Sequence, residues 1–105
     1  MKEALPFDQN GVLEIIREEQ PWGIKIHHVF LKSEPSILGS TLKIFDGDTE
    51  CNPFQFDPLP NLPNPKTVAV GRYWKIGSWP AKFRFVLEVP HKTNPIDAVI
   101  VLEFD

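Results

Sequence analysis

Proline stands at positions 6, 21, 35, 53, 58, 60, 63, 65, 80, 90 and 95, and no other feature limits the possible fold as much. Proline has no amide hydrogen and a fixed φ, so a helix accepts it only in its first turn and a central strand hardly at all. Secondary structure therefore has to fit between the prolines. The intervals hold short segments rich in Val, Ile, Phe, Trp and Thr, several alternating with a period of two, which is the pattern of a strand with one face turned to a core.

Residues 12–18 read as a strand, followed by a turn at Gln20-Pro21-Trp22-Gly23 and a second strand over 24–32, in which Ile24, Ile26, His28 and Phe30 share one face. Residues 41–46 form a third, closed by the turn dipeptide Asp46-Gly47. The proline-rich stretch 53–66 reads as a stiff loop. Residues 67–76 and 81–89 flank Gly77-Ser78-Trp79-Pro80 and fit a hairpin, and 97–104 supply a last strand with Ala98, Ile100, Leu102 and Phe104 turned inward. Val12, Leu13, Ile15 and Ile16 also satisfy helical i, i+3, i+4 spacing, with Asn10 as a possible cap. The expectation is a single all-β domain over 1–105, a small β-sandwich of immunoglobulin-like architecture with six to seven strands; a small barrel, or an α+β fold with a short N-terminal helix, is the alternative.

With Lys+Arg 11 against Asp+Glu 14, the net charge is −3, which argues against non-specific nucleic-acid binding by the chain as a whole. The charge is uneven. Lys66, Arg72, Lys75, Lys82 and Arg84 fall in 58–87 with no acid among them. If Ile76 pairs with Ala81, the hairpin sets Tyr73 opposite Arg84 and Lys75 opposite Lys82. Like charges so opposed are unfavourable by roughly 0.2–1 kcal/mol. Two readings follow: a neighbouring acidic strand neutralises them, or Tyr73, Lys75, Trp79, Lys82 and Arg84 bind an anionic ligand or single-stranded nucleic acid, with the rings as stacking platforms. Arg72 falls on the apolar face between Val70 and Trp74, where it has to find a partner or reach out at the sheet edge.

Other chemistries find little support. Asp46-Gly47-Asp48-Thr49-Glu50 alternates carboxylates as calcium loops do, but the sixth position is Cys51 rather than glycine and Pro53 interrupts the loop. His27 and His28 point to opposite faces of a regular strand and cannot share a metal. A small hydrolase or metal enzyme would need His27 or His28 to meet Asp46, Asp48 or His91. There is no nucleophile elbow, phosphate-binding glycine loop or dinucleotide fingerprint; no catalytic residue, metal ligand or cofactor is assigned. A lone Cys51 excludes an internal disulfide. The N-terminal residues lack the pattern of a secretory signal, and no apolar run is long enough to span a membrane, so a cytoplasmic location is expected. The reading that fits best is a non-catalytic interaction module with sheet edges or the 53–66 loop as the contact surface, a protein partner or further copies of itself as the occupant, and an anionic ligand as the alternative.

Overall fold

The computed structural model describes residues 2–18, 22–34, 37–56, 67–77, 80–90, 92 and 94–104. Eight strands run in chain order: β1 (Lys2–Pro6), β2 (Val12–Arg17), β3 (Gly23–Leu31), β4 (Thr41–Asp46), β5 (Thr49–Gln55), β6 (Thr67–Lys75), β7 (Ala81–Glu88) and β8 (Ala98–Phe104). They form two antiparallel sheets, sheet A in the order β1-β8-β3-β6 and sheet B in the order β2-β7-β4-β5. This is the expected sandwich. Its connectivity is that of a jelly roll of eight strands, not the immunoglobulin order: β1 pairs with β8, β2 with β7, β3 with β6 and β4 with β5, as if one long hairpin had been rolled up.

The rolling corrects the proposed 67–89 hairpin. β6 lies at the edge of sheet A against β3, and β7 lies inside sheet B between β2 and β4. Tyr73 is opposite Lys25, Lys75 opposite Gly23, Lys82 opposite Ile16, and Arg84 between Glu14 and Phe45. The segment after β6 crosses from one sheet to the other. Among the described strands, β4–β5 is the one tight hairpin, turning through Gly47-Asp48 with Gly47 at φ +61°.

Two of the eight strands, β1 and β5, were not expected, and both are edge strands. β5 contains Pro53, whose missing donor is tolerated there because one side of an edge strand has no neighbour to bond. Residues 12–17 are a strand, not a helix. Asn10 caps nothing helical; Asp8 Oδ1 instead accepts from the amides of Asn10 and Val12 at 2.8 and 2.9 Å, folding the β1–β2 link into a tight turn that ends in Gly11.

The core lies between the sheets. Sheet A contributes Ile24, Ile26, Val29, Leu31, Ala98, Ile100 and Leu102, and sheet B Ile15, Leu42, Ile44, Phe83, Phe85 and Leu87. Strict alternation along β3 would have sent His28 and Phe30 inward. The pairing of β3 with both neighbours instead slips between Ile26 and His28, and this bulge reverses the facing of everything beyond it. Val29 and Leu31 are thereby buried with Ile24 and Ile26, and His28 and Phe30 turn outward.

The sandwich's two open sides are each closed by an arginine. On the β1–β2 side Arg17 Nη2 donates to Glu3 Oε2 at 2.6 Å, its guanidinium 4.7 Å from the Phe104 ring centroid. On the β5–β6 side Arg72 Nη2 donates to the Pro53 carbonyl at 3.2 Å and lies 5.2 Å from the Phe54 ring. Arg72 thus finds partners across the open side, a main-chain carbonyl and the Phe54 ring.

Candidate interaction surface

β8 is the most apolar strand, and its alternation decides what sheet A presents to the outside. Ala98, Ile100 and Leu102 face the core, which leaves Val99 and Val101 facing outward from the middle of the sheet. The register extends them into rows. Pro6, Val99, Phe30 and Thr67 stand side by side across the four strands, followed by Ala4, Val101, His28 and Ala69. The third row is polar: Lys2, Glu103, Lys25 and Tyr73. A central strand apolar on both faces is the signature of a strand covered on both faces. No described element packs over this one.

The β3 bulge adds two imidazoles to the surface. His27 Nε2 lies 2.9 Å from Glu103 Oε1, and the His28 position, opposite Val101 and Ala69, belongs to the same outer face. The expectation that consecutive histidines diverge fails because a bulge turns two successive residues to one side. The hydrogen bond from His27 is the main cause holding the Glu103 carboxyl below its ordinary range. Its contribution to stability is therefore present above the usual carboxylate range and is lost as pH falls through the lowered value.

The five residues expected to form an anionic-ligand site do not converge. Tyr73 and Lys75 lie on the outer face of sheet A, where the Tyr73 ring covers Gly23. Lys82 and Arg84 lie on the outer face of sheet B, on the other side of the molecule. Trp79 lies outside the described residues. Lys82 and Arg84 do share a depression of about 390 Å³ with Glu14, Ile16, Phe45 and Asp48. Within it the Arg84 guanidinium lies 4.3 Å from the Phe45 ring centroid, a cation–π geometry. No ion pair to either cation is found among the described residues.

Among the described residues the hydrolase or metal arrangement is not formed either. Asp46 and Asp48 belong to sheet B and its hairpin turn, His27 and His28 to sheet A, and His91 lies outside the described residues. Among the described residues no group of three His, Cys, Asp or Glu side chains is placed to hold a metal. Cys51 is half-buried, and burial, followed by the charge of Asp46, pushes its thiol up. That is the opposite of the electropositive setting that activates a nucleophilic cysteine. Trp22, 73% exposed, and Ile16, 57% exposed, are the most open large apolar side chains. Residues 57–66 of the proline-rich stretch lie outside the described residues.

No protein-family model matches the chain, and no curated protein matches it. Among solved structures it is similar to the Drosophila NLP-core, whose structure is described as giving insight into pentamer formation and histone binding. The likeness covers 99% of this chain and 97% of that one at a TM-score of 0.58, with 8% sequence identity. At that identity the comparison supports the fold. Among the described residues no helix is long and apolar enough to cross a membrane.

Proposed function

We propose that this chain is a non-catalytic β-sandwich interaction module that associates with further copies of itself through the outer face of sheet A. The observation that carries the reading is the pair Val99 and Val101, facing outward from a central strand with Pro6, Ala4, Phe30 and Ala69 beside them. A second copy suits this face for three reasons. The molecule measures 40 × 25 × 24 Å, so one sandwich face offers enough area for the roughly 800 Å² per partner that a stable contact needs. The polar row alternates Lys2, Glu103 and Lys25, which lets acid and base of one copy meet base and acid of another. The NLP-core, similar to this chain over nearly its whole length, is described in terms of pentamer formation. A protein ligand, as the histone is for that neighbour, would then be held by the assembly, and the unpaired thiol of Cys51 fits a cytoplasmic setting.

In size-exclusion chromatography with light scattering, the protein is expected to elute at a multiple of 12.0 kDa. Val101→Glu should return it to monomer mass with an unchanged far-ultraviolet circular dichroism spectrum, because covering a carboxylate at the centre of the face strips its hydration. A wild-type protein that is monomeric at tens of micromolar, or a Val101→Glu variant that keeps the full mass, overturns the proposal.

A second reading concerns Lys82 and Arg84, which line the sheet B depression with Phe45 and find no ion-pair partner among the described residues. They form the half of the expected anionic-ligand site that remains together, with Glu14 and Asp48 in the same lining, and an acidic peptide is the probe that tests them. The double variant Lys82→Glu, Arg84→Glu should reduce retention of an acidic peptide at least tenfold in fluorescence anisotropy. Equal binding by wild type and variant removes this reading.

A further inference from the structure

The apolar part of the sheet A face contains one group whose charge can change near neutral pH. His28 stands in the row Ala4, Val101, His28, Ala69. It is half-buried before any partner arrives, and no hydrogen bond to its ring is found among the described residues. Its companion is differently placed, since His27 already holds Glu103 at 2.9 Å.

From these positions we infer that self-association through sheet A is gated by the protonation of His28, so that the assembly forms at neutral to alkaline pH and separates on mild acidification. The inference rests on the reading of sheet A as the self-association surface. A neutral imidazole can be covered by an apolar surface at little cost, whereas an imidazolium covered without a partner loses its hydration and regains nothing. The charged and titratable groups around it do not supply that partner. β8 contributes Glu103, already bonded to His27, with Asp97 just before the strand beside Lys32, which just follows β3; β1 contributes Lys2; β6 contributes Tyr73 and Lys75; β3 itself contributes Lys25 and His27. Glu103, held below the ordinary carboxylate range, remains ionised throughout the interval in which an imidazole takes up its proton. The two events are therefore separated in pH.

The bulge makes this possible. In a regular strand His28 would share the inner face with Ile24 and Ile26, where the sandwich itself would have to accommodate it. The slip at residue 27 moves it to the exterior, where its protonation state bears on association and not on folding of the monomer.

Sedimentation velocity at about pH 8 and about pH 5.5 tests the inference, across the interval where an imidazole changes charge. The wild type is expected to be assembled at the higher pH and to fall to 12.0 kDa at the lower. The association constant should decline by up to about tenfold per protomer for each pH unit once protonation is excluded from the assembled state. His28→Leu should be assembled at both. A wild type assembled equally at both pH values, or a His28→Leu variant that still separates on acidification, overturns the gate while leaving the surface intact. A wild type that is monomeric at about pH 8 overturns the surface and the gate together.

Discussion

Phe85→Ala is expected to lower the free energy of unfolding by about 3–5 kcal/mol, the range for removing a buried aromatic ring from a core that only partly collapses into the space. Phe85 is fully buried, and its ring stacks on Phe83 with centroids 6.2 Å apart. It belongs to β7, which is paired on both sides, with Leu13 of β2 and Ile44 of β4 directly opposite it. Neither neighbour can move in without disturbing its own ladder. Single domains are stable by only about 5–15 kcal/mol, so the variant should stand near the limit of folding. Urea titration followed by tryptophan fluorescence measures the change. A loss below about 1 kcal/mol would mean that the ring is not at the centre of the packing.

Gly11→Ala should destabilise by a comparable amount, about 3 kcal/mol or more, although it adds a single carbon. Gly11 has φ +83°, and a Cβ there would come to 2.5 Å from the Leu87 carbonyl oxygen and 2.8 Å from Ile96 Cδ1. The backbone conformation alone costs an L residue of ordinary shape about 1–2 kcal/mol. The nearest obstacle is main chain, which cannot swing aside as a side-chain tip would. The same residue's carbonyl accepts from the Leu87 amide at 2.8 Å, so any retreat from the clash breaks the bond that docks the β1–β2 turn against β7. Thermal unfolding should show a fall of at least 10 °C, taking about 4–8 °C per kcal/mol for a chain of this size. Gly47→Ala is the natural contrast: φ is also positive, but nothing lies within 4 Å, so the loss should be limited to the conformational part. Equal losses at the two positions would show that contact with Leu87 and Ile96 contributes nothing.

Alternation of apolar residues was sufficient to locate the six strands that carry most of the core, because each has one face against the opposite sheet. The edge strands were less legible. β1 and β5 bury only part of one face, and Pro53 gives β5 the look of a loop. The bulge in β3 was legible in hindsight: Ile24, Ile26, Val29 and Leu31 can line one face only if a residue is inserted between the pairs. Strand partnership was the largest loss. Residues 67–76 and 81–89 look like a hairpin because both alternate and a short glycine- and proline-containing segment joins them, but a short segment can equally carry the chain across the sandwich. Local pattern defines which face of a strand is buried, not which strand lies beside it. The anionic-ligand site depended on that partnership and divided with it, leaving Lys82 and Arg84 on one side of the molecule and Tyr73 and Lys75 on the other. The apolar outer face of sheet A was visible in part, since Val99 and Val101 interrupt the polar side of the last strand.

The position of β8, between β1 and β3, has a consequence for biosynthesis. Sheet A has no continuous ladder until residues 98–104 have cleared the ribosomal exit tunnel; before then β1 and the inner edge of β3 offer bare backbone to any passing strand. A nascent chain of this kind has to wait, and delay with open ladders is when polypeptides pair with one another instead of with themselves. Lys2 and Lys25, on the two strands that flank the gap, are the kind of charged side chain that discourages such mispairing until residues 98–104 close it.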